Sequence, residues 1–214
     1  MNIREADKKF NFILDAYYIN CIEDSYSEKH RHYHNWDHIS YLLENISLID
    51  PGVYKSAFAL AAVFHDLAYH PNPVPPGYNE AMSIHYLSNF RLNISTMVQR
   101  AAIEMINATA WHHVDQPNLS LLAQKFLDLD LLGFANPDEE RYKKDTENVE
   151  KEIFEIYKDY PVEEVLRGRK GFLSGLLFNR KRIYYTLPEE YEDLARARIE
   201  DQFWSLYNRL KEYE

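Results

Sequence analysis

Cysteine, glycine and positive charge are all scarce in this chain of 214 residues. The single cysteine, Cys21, excludes an intramolecular disulfide framework and cysteine-rich zinc sites, and it indicates a reducing compartment. Only 6 glycines are present and no Gly-rich phosphate loop can be found. Lys and Arg number 24 against 34 Asp and Glu, a net charge of −10. A nucleic-acid polymer is therefore not expected as a partner, because neutralising its phosphates requires a basic surface.

Long apolar runs are missing as well. No stretch approaches the roughly 18–20 apolar residues of a membrane-spanning helix, and residues 1–10 are too polar for a signal peptide. There is also no G-x-S-x-G motif of a serine hydrolase. We therefore expect a cytoplasmic protein with no membrane partner.

Helical periodicity, by contrast, runs through nearly the whole chain. Apolar residues recur at spacings of three and four, without sustained alternation, and this predicts an all-α fold of about eight or nine helices. One domain is expected over 1–214, with a core at about 30–135 on which C-terminal helices at about 138–213 pack. The predicted helices are Arg4–Cys21, Trp36–Ile49, Val53–Tyr69, Glu80–Phe90, Thr96–Ala110, Leu119–Leu132, Asp138–Lys158, Val162–Tyr185 and Glu189–Tyr213.

The most informative of these helices is the one that ends in His-Asp. Its residues Ala57–Phe64 are all apolar, which predicts a helix buried on every side. His65 and Asp66 follow directly, and His65 continues an apolar stripe at spacings of three and four. An ionised carboxylate there costs several kcal/mol unless it is paired or binds a metal. The alternative is a core histidine hydrogen-bonded to a neighbouring acid.

Two aspartates stand among leucines near the end of the predicted helix Leu119–Leu132. Asp130 shares a helix face with Phe126, so we expect it to point inward, whereas Asp128 lies over Lys125 and is expected to be solvated. A second buried carboxylate is hard to explain by packing. A divalent cation would neutralise both buried carboxylates.

Four of the 9 histidines lie in the segment 30–38. His38 falls in the first turn of a predicted helix, which can hold an imidazole rigidly, and His34 lies in the loop before it. The alternative for His30 and His32 is a solvated polar loop. Two imidazoles with two carboxylates suit Mn, Fe, Zn, Ni or Co better than Ca.

A histidine, then His-Asp on a buried helix, then a distant aspartate resembles the HD superfamily of metal-dependent phosphohydrolases. The resemblance is strongest to a bacterial branch described as predicted metal-dependent HD phosphohydrolases, and it spans about 5–210. The segment Val149–Ile153 departs from that branch, where an arginine and an aromatic residue would be expected. The motifs that carry the resemblance are Arg31-His-Tyr-His-Asn35 with His38, Phe64-His-Asp66 with Tyr69, Asn79-Glu80, Ala108-Thr109 with His112, Asp128-Leu-Asp-Leu-Leu-Gly133, Arg167-Gly-Arg169, Phe172-Leu173, Ile183-Tyr184 and Ala195-Arg196.

The resemblance implies an HD-domain-like helical bundle with a divalent transition metal, namely Mn, Fe, Ni, Co or Zn, with Mg also open. One ion is expected and two are allowed. The implied metal ligands are His38, His65, Asp66 and Asp130. The implied activity is hydrolysis of a phosphoester or phosphoanhydride bond by metal-activated water. The expected substrate is a small phosphorylated compound, in the first place a nucleotide.

Further roles around that centre are implied by the same resemblance. Asp66 and Glu80 are expected to be catalytic, and a homodimer is allowed. The residues expected to bind substrate or a second metal are His34, Arg31, His112, His113 and Tyr69. Two other functions stay open: an HD-type di-iron oxygenase, which would need a second ion and more ligands, and a non-catalytic nucleotide-binding HD module.

Overall fold

The predicted all-α architecture is confirmed by a computed structural model, which describes residues 1–12, 14–116 and 118–213. Those residues form ten α-helices and no β-strand. None of the helices in these ranges combines the length and apolar character needed to cross a bilayer. The helices are α1 (Ile3–Phe10), α2 (Ala16–Tyr26), α3 (Trp36–Asn45), α4 (Lys55–Phe64), α5 (Tyr78–Asn89), α6 (Thr96–Thr109), α7 (Leu121–Asp130), α8 (Glu139–Ile156), α9 (Val162–Ser174) and α10 (Glu189–Leu210).

The structure departs from the predicted helix boundaries mainly at two places. The expected helix Arg4–Cys21 is two helices, because Asn11 takes the left-handed conformation (φ 57°) that ends α1 and Asp15 caps α2. Ile13, which falls inside that predicted helix, lies outside the described residues. The expected helix Val162–Tyr185 ends at Ser174 and continues only as a π-helical turn, Gly175–Asn179.

Helix α4 lies at the centre of the bundle. Every residue from Ala57 to Phe64 is fully buried, as the apolar run predicted. Helices α1, α3, α5 and α6 all contact it. Four of its buried positions are alanines, which allow neighbouring helices to approach closely. The helix stops at Phe64, and the backbone N–H of His65 still donates to the carbonyl of Ala61, so the His-Asp pair begins the turn that follows.

The C-terminal helices α8, α9 and α10 cover the end of α7. Helix α10 contacts α9 and the 3₁₀ turn Leu131–Ala135, and α8 contacts the same turn. Arg198 of α10 stabilises this turn, because its guanidinium donates to the carbonyls of Phe134 (3.2 Å) and Asn136 (2.6 Å). It also forms an ion pair with Glu139 of α8 (2.6 Å). The C-terminal third of the chain thus forms one wall of any site at the end of α7.

Asp128 is fully buried, so the expectation of a solvated side chain was wrong. Its carboxylate accepts hydrogen bonds from the backbone N–H groups of Tyr185 (2.6 Å), Thr186 (2.6 Å) and Leu187 (3.2 Å) and from the Thr186 hydroxyl (2.7 Å). Helix periodicity could not reveal this, because the donors come from a segment nearly 60 residues away that covers the second face of α7. Asp128 is therefore a structural acid.

Two glycines at the end of α9 test how closely this helix packs against the backbone at His113. Gly175 begins the π-helical turn, and Gly171 lies one turn before it. A Cβ at Gly175 would clash with the carbonyl oxygen of His113, whereas no described atom lies within 4 Å of a Cβ at Gly171. We expect Gly175→Ala to destabilise the fold by about 1–3 kcal/mol and Gly171→Ala to stabilise it by up to about 1 kcal/mol. Chemical denaturation of both variants measures the difference, and equal midpoints would contradict this close approach.

Candidate metal centre

Three separate parts of the chain bring four potential ligands close together. His38 comes from the first turn of α3, whose N-terminus is capped by the Asn35 side chain. His65 and Asp66 follow α4, and Asp130 is the last residue of α7. Helix α3 contacts both α4 and α7, which brings these ends together.

The ligand atoms lie at the spacing that a bound cation requires. His65 Nε2 is 2.9 Å from Asp66 Oδ2 and 3.2 Å from Asp130 Oδ1, and His38 Nε2 is 3.4 Å from Asp130 Oδ1 and 3.9 Å from Asp66 Oδ2. Ligands about 2.0–2.2 Å from a common ion are separated from one another by roughly 3–3.5 Å. His38, His65 and Asp130 could therefore hold a metal ion, and Asp66 stands beside them.

Three of these atoms are buried without a hydrogen-bond partner in the described part of the chain: His38 Nε2, His65 Nε2 and Asp66 Oδ2. The ring of His65 is oriented by its other nitrogen, since Nδ1 lies 3.0 Å from the Ala62 carbonyl and must donate to it. That tautomer leaves a lone pair on Nε2, as metal coordination needs. Unpartnered buried polar atoms are costly, and a cation held by His38, His65 and Asp130 would satisfy the two imidazole nitrogens.

The charges of the cluster show what a cation would displace. Burial favours neutral groups, but the two carboxylates outweigh it and raise the pKa of His65 well above its usual value. Without a cation, His65 Nε2 therefore carries a proton, and a metal ion would take the place of that proton. In turn, the neighbouring imidazoles overcome burial and hold the pKa values of Asp66 and Asp130 below their usual range. Both acids are thus anionic at neutral pH, which is the state that binds a cation.

A cavity of about 290 Å³ opens above the four ligands. Helix α8 lines it with Tyr142, Thr146, Val149 and Ile153, and α9 and α10 add further side chains. The segment around Val149, which departs from the HD branch in sequence, is therefore part of the wall.

His34 stands at the edge of this cavity and is fixed by a buried acid that sequence analysis missed. Glu152 of α8 accepts a hydrogen bond from His34 Nδ1, and it also accepts the backbone N–H groups of Tyr33 (2.9 Å) and His34 (3.1 Å). Burial opposes ionisation of Glu152, but the charge of His34 and these hydrogen bonds lower its pKa to about 2. The His34 ring stacks on Tyr69 with centroids 4.5 Å apart. Only the spacing of Glu152 next to Val149 and Ile153 on one helix face could have indicated its burial.

Glu80, Tyr69 and His112 also line the cavity, as their predicted roles require. Burial raises the pKa of Glu80 and lowers that of His112, whose Nδ1 donates to the Thr109 carbonyl. His113 does not line the cavity with them and packs instead against Phe172. Of the two adjacent histidines, His112 is therefore the one placed to meet a ligand.

Arg31 is not placed to bind substrate phosphate, contrary to expectation. Its buried guanidinium donates to the carbonyls of Asp66 (2.6 Å) and Leu67 (2.9 Å) and pairs with Glu28 (2.8 Å), and it does not line the cavity. Arg31 instead holds the turn that carries Asp66. The nearby His30 is also buried, and it donates to the Tyr69 carbonyl from Nε2 (2.9 Å).

The cationic side chain that does face the cavity is Arg169 of α9. In sequence it belonged only to the motif Arg167-Gly-Arg169, with no role attached.

No protein-family model matches this sequence, and neither a curated protein nor a solved structure is significantly similar to it. The function must therefore be inferred from the chemistry of these side chains.

Proposed function

We propose that this chain is a metal-dependent phosphohydrolase that cleaves a phosphoester or phosphoanhydride bond of a small phosphorylated compound. The observation that carries the proposal is the set of three unpartnered, buried ligand atoms on His38, His65 and Asp66, which meet Asp130 at a cavity. The sequence motifs that resemble the HD superfamily support the same assignment. A cytoplasmic location, without a membrane or nucleic-acid partner, belongs to this proposal.

The donor set matches a divalent transition metal such as Mn, Fe, Ni, Co or Zn, with Mg also open, because it combines two imidazole nitrogens with carboxylate oxygens. Such an ion would polarise a phosphoryl oxygen and lower the pKa of a water. Asp66 is the residue best placed to face both that ion and the reacting group, because it adjoins His65 and lines the cavity.

Two further side chains are suited to handle protons at the phosphoryl group. Glu80 lines the cavity, and its raised pKa brings its carboxylate nearer to the range in which it can accept and return a proton. His34 is oriented through Nδ1 by Glu152, which leaves Nε2 as the nitrogen that can meet an oxygen of the substrate. A buried acid that fixes an imidazole in this way is a common means of orienting it for proton transfer.

The test is elemental analysis of the purified protein combined with a screen of phosphorylated metabolites under Mn²⁺, Mg²⁺, Co²⁺ and Ni²⁺. We expect metal to copurify and phosphate to be released from at least one compound. Asp66→Ala should lose both metal and hydrolysis while circular dichroism stays helical. Asp193→Ala replaces an exposed acid of α10 and should keep both.

The alternative functions give different results in the same experiment. Iron in the protein together with oxygen consumption would indicate a di-iron oxygenase. Tight nucleotide binding without product under any cation would indicate a binding module. An Asp66→Ala variant that stays active, or the absence of any hydrolysis product from every compound, would overturn the proposal.

A further inference from the structure

Arg169 is the one Lys or Arg side chain among the described residues that line the cavity of about 290 Å³ above the candidate metal ligands. Its Nη2 donates to Gln202 Oε1 (3.2 Å), and its guanidinium lies 5.2 Å from the centre of the Phe172 ring. Gln202 is itself held, since its amide nitrogen donates to the Tyr142 hydroxyl (2.8 Å). The guanidinium is thus oriented by neutral groups.

Arg169 forms no ion pair with a carboxylate in the part of the chain described, unlike Arg198, which pairs with Glu139, and Arg167, which pairs with Glu163. Burial lowers the pKa of Arg169 to about 10, so the group stays cationic at neutral pH. A partly buried cation without a paired carboxylate is costly. An anionic ligand would supply that charge, and the guanidinium fork matches phosphate oxygens.

A second cavity of about 480 Å³ adjoins the first across Arg169. Tyr69, Ile153, Arg169 and Phe172 line both. Beyond them, the second cavity is walled by Tyr157 and Tyr160, whose rings lie 5.6 Å apart. Four aromatic side chains therefore surround a space next to the cation, and aromatic walls favour a flat ring by stacking.

A third cavity, of about 270 Å³, also meets Arg169 but has a different character. It contains Glu150 and Asp201, and its own arginine, Arg209, is already paired with Glu150 (2.6 Å). The tyrosine-lined cavity also contains a carboxylate, that of Glu164, so charge does not distinguish the two. Among its described lining residues the third cavity has one aromatic side chain, Phe154, against four in the tyrosine-lined cavity, which is therefore the better place for a flat ring.

We propose that Arg169 binds the anionic group of a phosphorylated compound whose aromatic ring occupies the cavity walled by Tyr157, Tyr160 and Phe172. The proposal rests on the proposed function in one respect, that the phosphorus reacts at the metal centre. It narrows the substrate class to phosphorylated compounds that carry a flat ring and makes Arg169 a determinant of specificity.

The test is calorimetric binding of two phosphonates that cannot be hydrolysed at phosphorus, phenylphosphonate and methylphosphonate, to the Mn²⁺-supplemented protein. The wild type should bind phenylphosphonate about tenfold more tightly than methylphosphonate. Arg169→Met should weaken both by about tenfold to a hundredfold. Tyr160→Leu should weaken only phenylphosphonate.

The matched control is Arg167→Met, which removes an exposed arginine two residues away on the same helix and should change neither affinity. Arg169→Lys keeps the charge but loses the fork, so it should fall between wild type and Arg169→Met even where the methionine variant folds poorly. Wild-type affinity of Arg169→Met for both phosphonates would overturn the role of Arg169. Equal binding of the two phosphonates by wild type would overturn the aromatic site.

The outcome is separable from that of the proposed function. Binding that depends on Arg169, without phosphate release from any metabolite, would support this inference and contradict the hydrolase. Phosphate release from a metabolite, together with phosphonate binding that does not depend on Arg169, would support the hydrolase and contradict this inference.

Discussion

Asp130→Ala is expected to abolish binding of the divalent cation while leaving the ten-helix fold intact. Asp130 Oδ1 lies within 3.4 Å of both histidine nitrogens of the centre, so its removal takes away the group that faces both imidazoles. Loss of a supporting residue outside the ligand shell typically lowers metal affinity by about 10–100-fold, and loss of a ligand should exceed this. Within residues 1–12, 14–116 and 118–213, no backbone N–H donates a hydrogen bond to this side chain.

The measurement is thermal unfolding with and without Mn²⁺, together with metal content. A cation at about 100 times its dissociation constant adds about 2.7 kcal/mol, which for a chain of this size raises Tm by roughly 5–10 °C. Wild type should show that increase, and Asp130→Ala should show none. A variant that retains stoichiometric metal and the same increase in Tm would exclude Asp130 as a ligand.

Asp128→Ala is expected to have the opposite signature, a large loss of stability that added cation does not restore. The substitution leaves the N–H groups of Tyr185, Thr186 and Leu187 without their acceptor. Each buried group that loses its partner costs about 1–3 kcal/mol. The total of about 3–9 kcal/mol is a large share of the roughly 5–15 kcal/mol that stabilises a typical domain.

Urea denaturation of the metal-free protein measures this loss, and Asp130→Ala is the matched control because it removes a carboxylate two residues away on the same helix. We expect a greatly lowered midpoint for Asp128→Ala and a smaller decrease for Asp130→Ala, which removes the acidic charge that faces the two imidazoles. Asp128→Asn should be intermediate, because its amide retains only one acceptor oxygen. Equal midpoints for the two alanine variants would refute the separate roles of these aspartates.

The buried helix α4 shows why part of the fold could be predicted. Its eight apolar residues leave no polar face, so burial on all sides follows from the sequence alone. The end of α1 shows the opposite case. Asn11 is compatible with a helix by composition, and its left-handed conformation depends on how the chain turns back to pack α2.

The candidate site divides in the same way. His65 and Asp66 could be found because they stand next to an unusual apolar run. The roles of Glu152 and Arg169 could not be assigned from the sequence. Glu152 orients His34, which is 118 residues away, and the cavities beside Arg169 are lined by residues from several distant segments. Arg31 was misjudged for the same reason, since the carbonyls that occupy it are 35 and 36 residues away.

Local periodicity and composition by themselves determined that this chain is all α-helical, that α4 is buried, and which imidazoles and acids were available to a cation. These properties depend on neighbours within one or two turns, so the order of residues contains them. The tertiary structure alone decided that Asp128 is buried as a structural acid, and that Arg169 lies between two cavities. Such distinctions depend on which distant backbone and side-chain groups cover each face of a helix, and no helical spacing encodes that.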